Sequence, residues 1–335
     1  MSIGTVSRVL NNSDHPVHPA TRERVLAAIR ALDFEPNALA RGLSGRRTQI
    51  LGVVVHDITD DYFNEIVRGI DEVARPAGYL VLVLSSYRDP ELELDYVRRM
   101  RSQHADGIIF VGGGLQVPGH VDRLRRQVEA IEAEGGAVVM LAPNDLPWPS
   151  IVPDTDAGIA ELVEHLVGLG HRSFAMLTGP DHLKTSVERA AAFRSALARH
   201  GIALDPRAVV SGGFERLQAA EALERLVEQG VRFTAVVCLN DQMAVGCLQA
   251  ARRLGLRVPR DLSVTGIDDL PVTELLDPPL TTVRVPMREL GRRGMELVLS
   301  RLEERPFEAP TALACELVVR GSTGRVGRGS RKGER

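Results

Sequence analysis

The stretch Ile50-Leu-Gly-Val-Val-Val55 marks the point at which the sequence changes character. It is the first of four short apolar runs, at residues 50–55, 79–84, 107–111 and 137–141, with helix-like stretches between them. Strands that are apolar throughout are buried on both faces, as in a parallel sheet covered by helices. The pattern therefore predicts an α/β fold from residue 50 onward.

The same alternation starts again in the second half of the chain. Its strand-like runs cover residues 173–177, 208–211, 235–239 and 262–266, and helices are predicted over residues 217–229 and 242–254. Two α/β halves of similar length are the clearest internal repeat in the sequence. We predict two parallel-sheet subdomains, which we call the N-lobe and the C-lobe.

Ligands of open α/β sheets bind beyond the carboxyl ends of the strands. In this sequence those positions are occupied by His56-Asp57, Val111-Gly112, Ala142, Thr178-Gly179, Phe214, Asn240-Asp241 and Asp268-Asp269. Two facing halves with polar and aromatic groups at their strand ends predict a cleft that closes on a small molecule.

The residues before Ile50 form a different kind of unit. Ile3, Val6 and Leu10 recur at helical spacing, which predicts a short amphipathic helix. Its outer face is small and hydrogen-bonding, with one positive charge, and consists of Gly4, Thr5, Ser7, Arg8 and Asn11. That face suits the major groove of DNA, although a helix that only covers a core fits these residues equally well. A second amphipathic helix follows over residues 21–32, with Pro19 near its start.

Charge is unevenly distributed along the chain. Residues 1–48 carry +3, residues 322–335 carry +4 and the whole chain carries -3, so residues 49–321 carry -10. A basic head on an acidic body is typical of a protein whose head contacts phosphates. The Gly-, Ser- and Arg-rich composition of residues 322–335 predicts a disordered basic tail.

Several classes of protein lack support in the sequence. No apolar run approaches the roughly eighteen residues of a membrane span, and the N-terminus lacks the order of a signal peptide, so we expect a cytoplasmic protein without a membrane partner. Gly112-Gly113-Gly114 fits neither the dinucleotide nor the phosphate-loop spacing and predicts a flexible turn. We find no catalytic or metal-ligating pattern, so the sequence predicts no enzyme activity, no cofactor and no metal.

Motifs in both parts of the chain resemble those of the LacI/GalR family of bacterial transcriptional repressors. In the head they are Thr5-Val-Ser-Arg-Val-Leu-Asn11, Thr21-Arg-Glu-Arg-Val25 and Pro36-Asn-Ala-Leu-Ala-Arg-Gly-Leu43. In the core they are Gly170-His-Arg172, Thr178-Gly-Pro180, Asn240-Asp-Gln-Met-Ala244, Gly266-Ile-Asp-Asp269 and Pro278-Pro-Leu-Thr-Thr-Val283. The resemblance runs from Ser2 to about Gly321.

The resemblance implies a homodimer that binds double-stranded operator DNA through a helix-turn-helix head. Its core would be periplasmic-binding-protein-like, with two Rossmann-like subdomains around a small-molecule effector, a sugar or a related metabolite. The implied divisions are a partial helix-turn-helix domain at 1–35, a hinge helix and linker at 36–48, and an effector-binding and dimerisation core at 49–321. Within the core, the N-lobe comprises residues 49–150 and 284–308, and the C-lobe residues 151–283 and 309–321.

For DNA binding, the resemblance assigns two groups of residues in the head. The recognition helix would carry Ile3, Gly4, Thr5, Ser7, Arg8 and Asn11, and the phosphate contacts would lie near His18 and Thr21. Ile3 and Gly4 stand where the family varies its base-reading pair, and neither side chain can form a hydrogen bond, so readout there would be apolar or by close backbone approach. Asn37 to Leu43 resembles the hinge helix that pairs with its dimer mate in the minor groove. Leu43 matches a leucine wedged into a base step, and small Ala40 would let two hinge helices approach closely.

For the effector, the resemblance implies a pocket formed by Tyr62, Phe63, Thr185, Arg189, Phe214, Asn240 and Asp268. Arginine and aspartate on opposite sides can hydrogen-bond vicinal hydroxyls or a ring edge, and the aromatic side chains cover apolar faces. Ala142 and Val111 replace an acid and a polar residue that sugar-binding members often carry. These two departures weigh against a definite sugar.

By this resemblance we expect the sequence to start at the turn of the helix-turn-helix, without the first helix that the motif requires. Two explanations are open. The translation start is misplaced, with Met1 standing where the family usually has the valine of Gly-Val-Ser, or the chain is truly truncated. A truncated chain would be a cytoplasmic small-molecule sensor that has lost effective DNA binding. A free-standing binding protein and an α/β enzyme are further alternatives.

Overall fold

The computed structural model describes residues 3–10, 15–32, 47–307 and 312–326. The chain divides into two compact units, Met1–Thr48 and Gln49–Arg335. Within the described ranges, no helix is both long and apolar enough to cross a membrane.

The described part of the first unit contains two helices, α1 (Ile3–Leu10) and α2 (Pro19–Ala31), which pack against each other. Pro19 occupies the first turn of α2, where a missing backbone N–H costs no helical hydrogen bond. Val9 and Val25 are buried, whereas Leu32 keeps 76 % of its surface exposed. The sequence predicts an apolar stripe of Val25, Ile29 and Leu32 on the second helix, and this is wrong at Leu32, because α2 ends at Ala31. Val9 is buried although it lies outside the predicted spacing of Ile3, Val6 and Leu10.

The N-lobe is a parallel sheet of four strands in the order β2-β1-β3-β4. Its elements are β1 (Ile50–Val55), α3 (Asp61–Ala74), β2 (Leu80–Ser85), α4 (Pro90–Ser102), β3 (Gly107–Phe110), α5 (His120–Ala133) and β4 (Ala137–Met140). Strands β3 and β4 are buried along their whole length, as their apolar sequences predict. Each predicted strand of this lobe lies within one residue of its expected bounds.

The C-lobe is built on a sheet of six strands in the order β12-β10-β9-β8-β6-β7, parallel except for β12. Its elements are β5 (Val152–Asp154), α6 (Thr155–Gly168), β6 (Phe174–Thr178), α7 (Lys184–Arg199), β7 (Val209–Ser211), α8 (Arg216–Glu228), β8 (Ala235–Cys238), α9 (Asp241–Arg253), β9 (Ser263–Asp268), β10 (Thr281–Arg284), β11 (Ala312–Ala314) and β12 (Glu316–Val318). Strands β10 and β12 were not predicted, because they are short and interrupted by polar residues.

The chain crosses between the lobes more than once. β10 belongs to the C-lobe sheet, yet the helix that follows it, α10 (Met287–Leu302), packs against α3 of the N-lobe. Two glycines permit this close contact, since a Cβ at Gly69 would lie 2.0 Å from the Arg288 carbonyl oxygen, and one at Gly291 would lie 2.0 Å from that of Ile66. The chain then returns through β11, which pairs in parallel with β5.

Residues 322–326 are part of the C-lobe, so the prediction of a disordered tail from residue 322 was wrong for this segment. Ser322 is fully buried, where its hydroxyl donates to the Val264 carbonyl (2.6 Å) and accepts from the Thr281 N–H (2.8 Å). The Val326 N–H donates to the Leu169 carbonyl at 3.1 Å. Composition alone missed this, because a serine in a polar run gives no sign that its hydroxyl pairs with strand backbone. Residues 327–335 lie outside the described residues.

Candidate functional site

The carboxyl ends of the two sheets border one cleft, which offers about 450 Å³ of space, part of it open to solvent. All seven residues predicted for the effector pocket line it, namely Tyr62, Phe63, Thr185, Arg189, Phe214, Asn240 and Asp268. Six further residues line it as well, namely His56, Asp60, Arg88, Gly112, Gly113 and Leu183. The structure thus brings residues from both halves of the core to a single cavity.

The N-lobe wall is aromatic. Tyr62 and Phe63 stand on the first turn of α3, which Asp60 caps by accepting the Tyr62 N–H at 3.1 Å. The Phe63 ring meets the His56 ring edge to face, with centroids 5.7 Å apart, and meets the Tyr62 ring in the same way at 5.2 Å. Burial raises the pKa of Tyr62 above its usual value, so its hydroxyl stays a neutral hydrogen-bonding group. This wall can cover the apolar face of a ligand.

A buried ion pair forms the C-lobe side of the cleft. Arg189 on α7 donates from Nη2 to Asp268 Oδ1 at 2.9 Å and from Nη1 to the Leu239 carbonyl at 2.7 Å. The two side chains keep only 4 % and 5 % of their surface exposed. The Arg189 Nε is buried and has no hydrogen-bond partner within the described part of the chain. A buried donor without a partner is costly, so the pair is suited to receive a polar ligand.

Burial shifts the charge balance of this pair. It raises the pKa of Asp268 to about 8, a shift that the Arg189 guanidinium reduces. At Arg189 burial acts to lower the pKa, but the charge and hydrogen bond of Asp268 together with the neighbouring Tyr62 outweigh it, and the pKa lies above its usual value. Burial also raises the pKa of the nearby Asp241 to about 6, although this carboxyl accepts from the Thr282 hydroxyl (2.6 Å). Burial thus favours the neutral form of the Asp268 carboxyl, whereas the Arg189 guanidinium favours its charged form.

Asn240 and Phe214 are held by each other and by the backbone. Asn240 caps α9, where its Oδ1 accepts the Met243 N–H at 2.9 Å and its Nδ2 donates to the Phe214 carbonyl at 3.3 Å. The Phe214 ring lies against Gly179, where a Cβ would come within 2.3 Å of it. One N–H and the oxygen of the Asn240 amide are thus engaged within the protein, and the first of these contacts helps to position Phe214.

A second set of contacts joins the lobes on one side of the cleft, and we call it the latch. It consists of residues 114–116 after β3 and residues 182–184 at the start of α7. The Gln116 N–H donates to the His182 carbonyl at 2.8 Å, and the Lys184 N–H donates to the Gly114 carbonyl at 3.2 Å. The Lys184 ammonium also forms an ion pair with Asp145 of the N-lobe. These contacts hold the cleft closed on this side.

The glycine run 112–114 is more than the flexible turn that the sequence predicted. Gly112 has a φ of 113°, and a Cβ there would lie 2.7 Å from the His56 ring. A Cβ at Gly113 would lie 2.4 Å from the Thr185 hydroxyl of the C-lobe. Glycine is therefore required where the N-lobe backbone passes between His56 and the C-lobe.

Sequence reasoning missed Arg88, Asp60 and Leu183 as lining residues. Arg88 follows the end of β2 by three residues, so the strand-end rule would have found it if applied to that strand. Asp60 lies five residues beyond the end of β1 and is the N-cap of α3, a position that gives no separate sign of a ligand site. Leu183 carried no signal, because a single leucine in a loop is uninformative.

The candidate DNA-binding residues fall partly within the described head. α1 contains positions 3, 4, 5, 7 and 8, and among these Gly4 and Arg8 are exposed while Thr5 is half-buried. His18 is exposed just before α2, and Thr21 on its first turn is half-buried. Asn11, Asn37, Ala40 and Leu43 lie outside the described residues. In the ranges that the structure does describe, no group of three or more His, Cys, Asp or Glu side chains could hold a metal ion.

Comparison with known proteins identifies relatives over nearly the whole chain. The family model described as bacterial regulatory proteins, lacI family, matches residues 1–37, and a periplasmic binding protein-like domain matches residues 163–323. The HTH-type transcriptional repressor CytR of Escherichia coli (strain K12) is 33% identical over 324 residues, which cover 96% of this chain and 93% of that protein. The HTH-type transcriptional regulator DegA of Bacillus subtilis (strain 168) is 32% identical, covering 96% of this chain and 95% of that protein.

Two solved structures superimpose on nearly the whole chain. The Lac repressor dimer bound to operator and the anti-inducer ONPF superimposes with a TM-score of 0.83 at 29% identity, over 97% of this chain and 96% of that one. The complex of the transcriptional regulator CelR with cellobiose gives a TM-score of 0.71 at 29% identity, over 96% of both chains.

Proposed function

The chain belongs to the LacI family of bacterial regulatory proteins and is a DNA-binding transcriptional regulator, and from that premise we propose how it is controlled. An effector, a sugar or a related metabolite, binds in the cleft between the lobes and changes the affinity of a homodimer for double-stranded operator DNA. The protein acts as a repressor in the cytoplasm. Its named relatives are regulators, and we propose that this chain likewise is not an enzyme.

One observation carries the effector part of this proposal. The cleft is lined from both lobes and contains the buried pair Arg189–Asp268. The Nε donor of Arg189 has no partner in the described ranges. Polar groups of this kind beside Tyr62 and Phe214 suit a molecule with hydroxyls on its edges and apolar faces. The cellobiose complex of CelR supports a carbohydrate-like ligand by analogy only.

Coupling to DNA follows from closure of the lobes. A ligand that touches both lobes favours the closed arrangement over an open one, and it shifts the equilibrium only by the difference between its two affinities. We propose that residues 36–48, which join the head to the N-lobe in sequence, act as the hinge, so that rotation of that lobe changes how the two hinge segments of a dimer meet. We propose that α1 lies in the major groove and that Leu43 enters the minor groove.

The proposal is tested by measuring DNA binding at several salt concentrations with and without a cleft ligand. An operator fragment can be recovered by selection from random duplexes with the full chain. We expect affinity to fall steeply with salt, because phosphate contacts release counterions, and to change at least about tenfold with ligand. A ligand that binds the cleft without any effect on DNA affinity would contradict the proposed coupling.

A further inference from the structure

Arg88 lines the cleft without a hydrogen bond to any described residue. Its Nε is buried and unpartnered, and its nearest opposite charge is Glu215 of the C-lobe, with Nη1 and Oε1 4.0 Å apart. The side chain keeps 22 % of its surface exposed, at the wall of the cavity. A guanidinium offers five donors in a fixed fork, so this cation lacks the acceptors that its geometry is built to use.

The backbone that presents Arg88 adopts an unusual conformation. Tyr87 and Arg88 have φ values of 51° and 60°, in the left-handed region that residues with a Cβ rarely adopt. The turn is fixed at both ends, because the Tyr87 N–H donates to the His56 carbonyl at 2.7 Å and Asp89 caps α4. Strain of this kind persists where the surrounding structure enforces it, often at ligand sites. Here it places Arg88 in the wall of the cleft.

His56 stands beside Arg88 in the same wall. It is 6 % exposed, and among the described residues its ring nitrogens have no side-chain partner and only a weak contact with the Gly113 backbone. Burial, followed by the charge of Arg88, lowers the pKa of His56 to about 4, and the Gly113 backbone offsets this only in part. The ring is therefore neutral at physiological pH, with one nitrogen that donates and one that accepts.

The charged side chains that line the cleft balance before any ligand enters. They are two guanidiniums, Arg88 and Arg189, and two carboxylates, Asp60 and Asp268, while Glu215 lies outside this lining and adds a further negative charge 4.0 Å from Arg88. The Lys184 ammonium is occupied by Asp145 in the latch. An anionic ligand would add negative charge next to Asp60 and Glu215, whereas a neutral ligand leaves the balance intact.

We infer that Arg88 and His56 form a second polar end of the effector site, and that the effector is an uncharged, polyhydroxylated molecule long enough to meet both ends. This inference rests on the proposed function and adds the chemical class of the ligand. Hydroxyl groups accept from the guanidinium, and a hydroxyl can both donate to and accept from a neutral imidazole. The Arg189 end lies on the C-lobe and the Arg88 end on the N-lobe, so one molecule that satisfies both ends also holds the lobes together.

The class of ligand is tested with matched pairs of probes on the full chain. The probes are uncharged monosaccharides, disaccharides and nucleosides, each beside its phosphate ester or acid, such as D-ribose with D-ribose 5-phosphate and D-glucose with D-glucose 6-phosphate. Binding is measured by the shift in Tm and confirmed by calorimetry. We expect at least one uncharged probe to bind and its charged counterpart to bind at least tenfold more weakly. The inference is overturned if a charged probe binds more tightly than its partner, or if no uncharged probe binds.

The role of Arg88 is tested with the uncharged probe that binds. Arg88→Gln should weaken its binding at least tenfold, and Arg88→Asn, which tolerates the left-handed backbone better, should do the same. The control is Arg98→Gln on α4, because the Arg98 side chain is exposed and does not line the cleft. The affinity of this variant for the probe should lie within twofold of that of the unmodified chain. Unfolding of each ligand-free chain reports whether it is folded.

Two outcomes separate this inference from the proposed function. If both Arg88 variants fold and keep full affinity while the ligand still alters DNA binding, the second polar end is wrong and the proposed function stands. If the variants lose affinity as expected but the ligand never alters DNA binding, the site is correct and the proposed coupling fails.

Discussion

Substituting alanine for Gly113 should hold the cleft open. A Cβ at this position would lie 2.4 Å from the Thr185 hydroxyl and 2.9 Å from the Thr185 backbone nitrogen, both in the opposite lobe. Rotating the threonine side chain removes only the first clash, because the backbone nitrogen cannot move without α7. Ordinary contact begins near 3.4 Å, so closure stops about half an ångström to one ångström short.

The expected loss of ligand affinity in Gly113→Ala follows from the cost of overpacking. A misfit of this kind costs about 1–3 kcal/mol in a packed interior, and here it destabilises only the closed form. Since about 1.4 kcal/mol is tenfold in affinity, the Kd of a cleft ligand should rise roughly 5- to 150-fold. Unfolding of the ligand-free chain should change little, because the open form carries no clash.

The matched control is Gly114→Ala. A Cβ at Gly114 would have its nearest neighbour, the Asn144 Cβ, at 3.4 Å, and neither glycine has a left-handed φ that would penalise alanine. Calorimetric titration of the three chains with the same cleft ligand gives the comparison. Equal affinities for Gly113→Ala and Gly114→Ala would refute the view that the ligand is held by closure at this point.

Three further predictions concern the stability of the core, each measured by denaturant unfolding. Arg189→Met should lower the free energy of unfolding by about 3–5 kcal/mol, because it leaves the Asp268 carboxyl buried without its partner. Adding Asp268→Asn should recover most of this loss. A double variant whose loss equals the sum of the losses of the two single variants would contradict the pairing. Burial lowers the pKa of His56 from 6.5 to about 4, so the folded chain binds fewer protons than the unfolded one between those values and stability is lost as pH falls. From pH 8 to pH 5 the loss should exceed that of His56→Gln by about 2 kcal/mol, while the exposed His200→Gln should behave as the unmodified chain, and equal pH profiles for all three chains would exclude the shift. Ser322→Ala should cost about 1–3 kcal/mol, since the Ser322 hydroxyl pairs with two buried backbone groups, and no loss would mean that residues 322–326 add nothing to the C-lobe.

The positions of most strands in the core could be predicted from local pattern, although their order in the sheets was not. Runs such as Ile50–Val55 are apolar throughout, and that property survives in the buried strand. The rule that ligands meet strand ends also pointed to His56 and Asp268 directly. Arg189 and Thr185 came only from family resemblance, because nothing in a helical run of small and charged residues marks one arginine as buried.

Other features depend on contacts between distant parts of the chain and could not be predicted. Gly113 must be glycine because of Thr185, which lies in the other lobe. Arg88 matters because its turn is left-handed, a property that neither tyrosine nor arginine favours locally. Ser322 is buried because strand backbone at Val264 and Thr281 needs partners. For Gly113 and Ser322 the deciding neighbour is remote in sequence, so local composition suggested a flexible turn and a tail instead.

The central claim is that the cleft ligand controls DNA affinity by closing the lobes. It is tested most directly by fluorescence anisotropy of a labelled operator duplex, titrated with the full chain at fixed salt, with and without a saturating cleft ligand. We predict that the ligand changes the DNA Kd of the unmodified chain at least about tenfold, and that Gly113→Ala requires a higher ligand concentration for the same change. A DNA Kd that is identical with and without saturating ligand would contradict the claim.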